Sequence, residues 1–337
     1  MLLRWRADHE GEAMSSLRVT AAPCIAAVFA FGSMVAMNAA RAQDFPNKPI
    51  RIVTGGVGGS SDFAARLLGA GLTDVWGQPV IVDNRPSSVV PMEVVSKAPP
   101  DGYTLLAFGT PLWIGPLLQK APYDPIRDFA PVTLAVSTPN ILAVTPALPV
   151  ATVRELIVLA KAKPGSLNYA SGSTGGSNHL AAELFKSMAA IDVVRVTYKS
   201  NATQIADLLG GQVQMTFATI GTVSPHLKSG KLTGLGVCSA LPSALLPGMP
   251  TVAASGLPGY ESASMNGIFA PAGTATALVN RLNQQLVHVL RQPAVREKFF
   301  NIGVETVGSS PVQFAATINS EMVKLGKVIK DAGIRAE

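Results

Sequence analysis

The stretch from Asn168 to Leu180 constrains the fold of this chain more than any other. Its sequence, NYASGSTGGSNHL, joins a short strand pattern, a loop of small residues and the start of a helix. Apolar residues then recur at helical spacing, which indicates one buried face: Leu180, Leu184, Phe185 and Met188. The N–H groups at a helix start and the positive end of the helix dipole favour a bound anion. A Gly-rich turn with an ordinary cap is the alternative interpretation of the same loop.

A second unit of the same kind stands near the start of the presumed mature chain. Ile50 to Val53 forms an apolar strand pattern, the Gly-rich segment Thr54 to Asp62 (TGGVGGSSD) follows, and a helical pattern begins at Phe63. We expect Ser61 or Asp62 to cap this helix. The loop between Asn168 and Leu180 carries neither the G-x-x-x-x-G-K-[ST] nor the G-x-G-x-x-G pattern of nucleotide-binding loops. Because ligands of α/β sheets bind beyond the carboxyl ends of strands, the two loops predict one shared cleft between two domains.

The first 42 residues predict an export signal rather than a part of the fold. The run from Ala21 to Ala40 is rich in Ala, Val and Phe, and Ala40-Arg41-Ala42 fits the A-x-A cleavage pattern. Cleavage near Ala42 would leave a periplasmic chain that begins at Gln43, and Met14 is an alternative start. A membrane anchor is the other interpretation, but the apolar run is short and Pro23 interrupts it.

The composition excludes several classes of protein. Charged residues make up 14% and hydrophobic residues 48%, as in a compact globule, and the net charge is +6. No basic cluster interleaved with aromatic residues occurs, so we expect no nucleic-acid partner, whereas a mild positive charge suits a small anionic ligand. Cys238 is the single cysteine after the presumed signal, which excludes an internal disulfide and a thiolate metal cluster. We expect no cofactor and no metal.

Strand and helix patterns alternate through the rest of the chain, which predicts an α/β fold with mainly parallel sheets flanked by helices. Thr152 to Glu155 has the pattern of a capping box, and three helical patterns close the chain. Apolar segments from Asn140 to Pro146 and from Asn266 to Pro271 are expected to cross between two lobes. This arrangement, with a hinge at the crossings that allows closure, assigns residues 43–144 and 267–337 to lobe 1 and residues 145–266 to lobe 2.

Motifs along the chain show a resemblance to one family. They include KPIRIV, GQPVIVDNRP, PDGYTLL, PYDPIRDFAPV, LNYASGSTGGSNHLAAELF, DLLGGQVQ, HLKSGKL and KVIKDAGI, and they stand in the family's order between Phe45 and Ile334. The chain resembles the Bug-type extracytoplasmic solute-binding proteins, the receptors of tripartite tricarboxylate transporters. The resemblance implies a two-lobed periplasmic-binding-protein fold (type II) and a monomer that captures a small carboxylate for membrane transporter subunits. The alternative role is to present the ligand to a membrane sensor.

The resemblance also implies that backbone amides and hydroxyls of four loops hold the carboxylate. The first loop supplies Thr54, Gly55, Gly56, Gly58, Gly59, Ser60, Ser61 and Asp62. The second supplies Gly109 and Thr110, the third Ser171, Ser173, Thr174, Gly175, Gly176 and Ser177, and the fourth Thr219. The first loop departs from the family's usual Pro-Phe-x-Pro-Gly-Gly, and Arg85 to Val90 departs from its usual Arg-Pro-Gly-Ala-Gly-Gly turn. Ala218 stands where many members carry Asp, which favours a plain organic acid over an amino acid.

An enzyme is the main rival class. His179 lies close in sequence to Ser173 and Ser177, but no G-x-S-x-G, no H-E-x-x-H and no Cys–His pattern accompanies it. At a helix start beside Leu180, a buried and hydrogen-bonded histidine is expected more than a catalytic base. We therefore predict a binding protein without catalytic residues.

Overall fold

The computed structural model describes residues 45–85, 87 and 89–335. The predicted export signal and its cleavage site at Ala42 lie outside the described residues. The chain divides after Asn47, and the fold below is that of the second unit, from Lys48 onward. No helix among the described residues is both long enough and apolar enough to span a bilayer.

Strands and helices alternate along the described part of the second unit. The strands are β1 (Ile50–Thr54), β2 (Val80–Asn84), β3 (Thr104–Gly109), β4 (Phe129–Val144), β5 (Asn168–Ser171), β6 (Val194–Thr197), β7 (Met215–Thr219), β8 (Thr233–Val237), β9 (Ala263–Pro271) and β10 (Glu305–Thr306). The helices are α1 (Ser60–Trp76), α2 (Val90–Ser96), α3 (Pro111–Leu118), α4 (Val153–Ala162), α5 (Ser177–Ala189), α6 (Asn201–Leu209), α7 (Ile220–Lys228), α8 (Thr276–Arg291), α9 (Pro293–Asn301) and α10 (Pro311–Asp331). These bounds confirm the predicted alternation and the three closing helices.

The described strands form one mixed sheet. Its order is β2-β1-β3-β9-β4-β7-β5-β6, and β8 and β10 also pair with β4. The outer pairs are parallel, namely β1 with β2 and β3, and β5 with β6 and β7. By contrast, β4 and β9 run antiparallel to their neighbours. The parallel pairs agree with the predicted α/β fold, and the antiparallel pairs are those made by β4 and β9 at the centre of the sheet.

Strand β4 connects two halves of the sheet. Its first part, from Phe129 to Pro139, pairs with β9, and its second part, from Asn140 to Val144, pairs with β7 and β8. We call β1, β2, β3 and β9 the first half, and β5 to β8 the second half. The boundary between the two halves therefore lies after Pro139, where β4 changes its pairing partner. The lobe boundaries at 144/145 and 266/267 remain a prediction.

The parallel strands of both halves end toward this point. β3 ends at Gly109, which pairs with Asn266, and Asn266 pairs in turn with Val136 of β4. From the other side, β7 ends at Thr219, which pairs with Asn140 of β4. A strand rises about 3.3 Å per residue, so the two levels lie about 13 Å apart along β4. The loops that follow the parallel strands therefore gather from both sides around the middle of β4.

Each half of the sheet has its own aromatic cluster. In the first half the ring centroids lie 4.9 to 6.3 Å apart, and the rings are those of Trp113, Phe269 and Phe314. In the second half the distances are 5.4 to 6.3 Å, and the rings are those of Phe185, Phe217 and Tyr260. Burial of a large apolar side chain contributes roughly 2 to 3 kcal/mol, so these clusters give the loops rigid strands from which to emerge.

Two local predictions can be compared with the helices. Thr152 caps α4 by accepting a hydrogen bond from the Glu155 amide at 3.2 Å, so the predicted cap is confirmed. The reciprocal bond of a capping box is not formed, because Glu155 Oε2 accepts from the Ala151 amide at 2.7 Å instead of the Thr152 amide. The predicted apolar face of α5 is buried except for Met188, which is 37% exposed. Met188 follows Leu180 by eight positions, about 80° around a helix with 3.6 residues per turn, and so lies at the edge of the buried stripe. Its assignment to the buried face was wrong.

Candidate ligand-binding site

A cavity of about 740 Å³ opens at the carboxyl ends of β5, β6 and β7. The loop between β5 and α5 contributes Gly172, Ser173, Gly176, Ser177 and Asn178 to its wall. The loop between β6 and α6 contributes residues 197–201, and Gln204, Ala218, Thr219, Thr222 and Asn140 complete the described lining. Four residues predicted as ligand contacts thus meet in one cavity: Ser173, Gly176, Ser177 and Thr219.

Three helices begin at this cavity. α5 starts after Gly176, α6 after Ser200 and α7 after Thr219, and none of the three has an acidic residue in its first turn. No cap side chain accepts a hydrogen bond at the start of α5 or α7, which leaves N–H groups there for another acceptor. Among the described lining residues, Lys199 is the only charged one, and none is Asp or Glu. The helix ends and Lys199 together favour an anion in the cavity.

Arg195 of β6 holds the loop between β5 and α5. It donates from Nε to Ser171 Oγ at 2.7 Å, from Nη1 to Thr174 Oγ1 at 3.2 Å, and from Nη2 to the Gly172 carbonyl oxygen at 2.9 Å. A planar guanidinium can orient several acceptors at once, and here it collects the oxygens of the loop. Ser171, which is fully buried, therefore lies beneath the site rather than in the wall of the cavity.

His179 fixes the same loop from the helix side. Its Nδ1 accepts a hydrogen bond from the Gly175 amide at 3.0 Å, so the neutral ring carries its proton on Nε2. His179 is 3% exposed, and burial together with the positive charge of Arg195 lowers its pKa to about 4. The prediction of a buried, hydrogen-bonded histidine is confirmed, and the role of this ring is to support the loop.

The first Gly-rich loop has a different support, centred on Asp62. This side chain is almost fully buried; its Oδ2 accepts from the Gly58 amide at 2.9 Å, and its Oδ1 accepts from Asn84 Nδ2 at 2.8 Å and Arg66 Nε at 3.0 Å. Burial by itself would raise the pKa of Asp62, but these hydrogen bonds outweigh it and lower the pKa below its ordinary value. Asp62 therefore orders its own loop, and both of its oxygens are engaged.

The structure corrects the expected cap of α1. The N-cap residue is Gly59, with no side-chain cap, whereas Ser61 and Asp62 lie inside the first turn. Ser61 Oγ instead donates to Asn266 Oδ1 at 2.6 Å, and Asn266 Nδ2 donates to Ser60 Oγ at 3.4 Å. The capping prediction was wrong because the helix starts earlier than its apolar pattern, and β9 supplies partners for the hydroxyls.

Three other predicted contacts of the first half belong to the hydrogen bonding and packing of the sheet. Thr54 is fully buried, and its hydroxyl donates to the Ala107 carbonyl oxygen at 2.9 Å. The Thr110 amide donates to the Met265 carbonyl oxygen at 3.0 Å, and Thr110 Oγ1 accepts from the Met265 amide at 3.2 Å. A Cβ on Gly109 would lie 2.6 Å from the same carbonyl oxygen, so the close approach of β9 requires glycine there.

The remaining predicted contacts lie away from the 740 Å³ cavity. Thr174 and Gly175 line a second cavity of about 330 Å³ against α3, to which Ser173 and Gly176 also contribute. The first Gly-rich loop contributes to neither of these two cavities. Its members Gly56, Gly58, Gly59 and Ser60 are exposed, and Gly55 is half-buried beside the Phe108 ring.

Several cavity residues were not predicted as ligand contacts. The segment from Thr197 to Asn201 repeats the strand, loop and helix pattern of the two Gly-rich units, and Ser200 caps α6, so the sequence carried a usable signal for it. The sequence carried no such signal for Arg195, because the role of this residue depends on the strand register that places it beside Tyr169. Gln204, which lies on a helix, gave no signal either.

Comparisons with known proteins identify the family of this chain. The family described as "Tripartite tricarboxylate transporter family receptor" matches residues 64–334 of this chain. Protein BugT of Bordetella pertussis is 32% identical over 300 residues, which cover 87% of this chain and 92% of BugT. The match thus extends over nearly all of the part that the structure describes.

Two similar solved structures contain carboxylates. The R. palustris protein Rpa4515, solved with adipate, is 34% identical, covers 87% of this chain and 100% of its own, and gives a TM-score of 0.69. MatC (Rpa3494) from Rhodopseudomonas palustris, solved with bound malate, is 26% identical, with coverage of 85% and 100% and a TM-score of 0.64. The predicted two-lobed α/β fold is confirmed. The chain belongs to the tripartite tricarboxylate transporter receptor family, whose members are periplasmic solute-binding proteins rather than enzymes.

Proposed function

We propose that this protein binds a small organic acid beside the middle of β4 and delivers it to a tripartite tricarboxylate-type transporter. The observation that carries the proposal is the meeting of three helix starts and Lys199 in one cavity whose described lining has no acid. About 740 Å³ is ample for a dicarboxylate and ordered waters, since each water occupies about 30 Å³. The dicarboxylates bound to Rpa4515 and MatC make this ligand class the first to test.

The start of α5 holds one carboxylate in this proposal. The amides of Ser177 and Asn178 belong to the first turn of α5, at the positive end of the helix, and Ser173 and Thr219 line the same cavity. Lys199 adds a charge on the opposite loop. Because Arg195 already collects the oxygens of the loop, the groups left for an anion are donors.

The first Gly-rich loop enters the site by closure of two lobes. In the proposed division, residues 43–144 and 267–337 carry this loop with Thr110, and residues 145–266 carry the described cavity lining apart from Asn140. The change of strand partner after Pro139 supports a hinge near the middle of β4, because the strand ends of both halves point there. Closure about such a hinge would bring the exposed backbone of Gly56 to Ser60 over the ligand.

We also propose that the chain is exported, cleaved near Ala42 and active as a monomer. The A-x-A pattern before Gln43 supports the cleavage site. The intact mass of the protein recovered from a periplasmic extract tests it, and light scattering of the purified protein tests the monomer. A mass that still contains residues 1–42 would overturn the cleavage proposal.

Thermal shift and titration calorimetry with succinate, malate, adipate and citrate test the binding function. A ligand at one hundred times its dissociation constant stabilises the folded state by about 2.7 kcal/mol. At least one acid should therefore raise the melting temperature by several degrees, whereas its uncharged diamide should not. The variant Lys199→Met should weaken binding, and Lys231→Met, at an exposed lysine away from the cavity, should not. A flat response to every acid would overturn the proposal.

A further inference from the structure

Two buried oxygens in the wall of the 740 Å³ cavity have no hydrogen-bond donor. They are Asn140 Oδ1 and Gln204 Oε1, and the two residues are 0% and 2% exposed. Among buried side-chain polar atoms of the described residues, only Trp113 Nε1 shares this condition, and it lies in the core of the first half. Buried acceptors without donors are unfavourable and rare. Two such oxygens in the wall of one cavity indicate a bound group that donates hydrogen bonds to them.

The contacts of Gln204 fix the direction of its amide. Thr216 Oγ1 has one hydrogen, which it donates to the Ala170 carbonyl oxygen at 3.1 Å, so it accepts from Gln204 Nε2 at 2.7 Å. Exchange of the amide nitrogen and oxygen would leave the contact with Ala170 without a hydrogen. The atom without a partner is therefore the oxygen. Asn140 uses its nitrogen in the same way, toward the Ser177 carbonyl oxygen at 3.5 Å.

We infer that the ligand of this receptor is a hydroxylated carboxylate whose hydroxyl donates to Gln204 Oε1, with Asn140 Oδ1 as a second acceptor. The inference rests on the proposed function and narrows its ligand class. An ionised dicarboxylate without a hydroxyl carries only acceptors and leaves both oxygens unpaired. Both oxygens are covered by protein atoms in this conformation, so the contact forms with a small repacking of the wall during closure.

The charges of the cavity favour a hydroxyl over an ammonium group. No Asp or Glu occurs among the described lining residues, whereas Lys199 and three helix starts make the cavity positive. An amino acid would place its ammonium group in that environment without an anionic partner. A neutral hydroxyl satisfies the same oxygen at no such electrostatic penalty.

Calorimetry with ligand pairs that differ by one hydroxyl tests the inference on the intact protein. We expect malate to bind at least tenfold more tightly than succinate, or citrate at least tenfold more tightly than tricarballylate, because the analogue leaves a buried acceptor unpaired. In Gln204→Leu the preference for the hydroxylated acid should fall to about threefold or less, and the acid without the hydroxyl should still bind. Gln212→Leu, at an exposed glutamine beyond α6, is the matched control and should keep the preference.

The outcomes separate this inference from the proposed function. Equal affinities within both pairs overturn the inference and leave carboxylate binding intact, whereas no binding of any acid overturns the function itself. Equal losses for malate and succinate in Gln204→Leu would show that Gln204 only shapes the wall, which also overturns the inference. If Gln204→Leu does not fold, Gln204→Met, which keeps the length of the side chain, tests the same preference.

Discussion

The two Gly-rich loops share one sequence pattern and differ in what holds them. The first is exposed and is braced by a carboxylate, because Asp62 accepts hydrogen bonds from the Gly58 amide and from Asn84. The second is largely half-buried and is braced by a cation, because Arg195 donates to oxygens of the loop at three points. Asp62 and His179 occupy equivalent positions, each accepting from the amide of a glycine four residues earlier, and Arg195 is an additional donor to the second loop.

This difference determines which groups each loop has left for a ligand. Asp62 places a negative charge in the first turn of α1 and occupies one N–H group, so the positive end of that helix is already compensated. α5 has no acidic residue in its first turn, because the neutral His179 accepts from the Gly175 N–H group where Asp62 accepts from Gly58, and Arg195 engages oxygens of the loop before the helix. We therefore expect the second loop to be the primary anion site, and the first loop to complete it on the proposed closure.

The largest expected effect is the loss of the cation that braces the second loop. Arg195→Met keeps an apolar stem but leaves the Ser171 hydroxyl and the Gly172 carbonyl without their donor, so we expect ligand affinity to fall about 100-fold, with a loss of stability of about 2 kcal/mol. Asp62→Asn, which retains an acceptor oxygen for Gly58, should lower affinity less than tenfold. Calorimetry and urea unfolding measure both. Equal losses of affinity would contradict the ranking of the two loops.

A glycine in each loop offers the next comparison. Gly175 and Gly58 both have positive φ angles, +77° and +82°, which cost an alanine about 1 kcal/mol. A Cβ on Gly175 would also collide with Leu118 Cδ1, whereas nothing lies within 4 Å of one on Gly58. We expect Gly175→Ala to cost about 2 to 4 kcal/mol and Gly58→Ala about 1 kcal/mol in urea unfolding. Adding Leu118→Ala to Gly175→Ala should restore part of the stability lost in Gly175→Ala. If it restores none, the collision with Leu118 is not the cause of that loss.

As the pH falls, the support of the second loop should be lost first and that of the first loop afterwards. The folded-state pKa of His179 is lowered to about 4, below its ordinary 6.5, so the unfolded chain takes up this proton first. The stabilisation due to the neutral ring is complete above pH 6.5 and is lost as the pH falls toward 4, by an amount of the order of 3 kcal/mol. The pKa of Asp62 is lowered from 3.8, so the stabilisation due to its ionised carboxylate is lost only below about pH 4.

Urea unfolding between pH 7 and pH 4 measures this dependence. His179→Asn keeps an oxygen that accepts from the Gly175 amide and should flatten the slope in this range. His288→Asn, at an exposed histidine near the end of α8, should leave the slope unchanged. The same slope in His179→Asn as in the unchanged protein would exclude His179 as its source.

Much of the architecture could be predicted because it depends on local patterns. The strand, loop and helix units, the cap of α4 at Thr152, and the closing helices follow from periodicity and turn residues within short windows. The burial of His179 could also be predicted, from its place beside apolar residues. The cap of α1 could not be predicted, because Gly59 is its N-cap and no apolar periodicity marks the first residues of this helix.

The sequence by itself determined that two Gly-rich loops follow strands and precede helices, and that the chain belongs to a receptor family. Only the tertiary structure decided how each loop is supported and which residues form the cavity wall. Arg195 reaches Ser171 across 24 positions and Ser61 reaches Asn266 across 205, through strand pairing that no local period encodes. The unpaired oxygen of Gln204 likewise depends on Thr216 of a neighbouring strand, because a buried polar atom is defined by its surroundings rather than by its place in the chain.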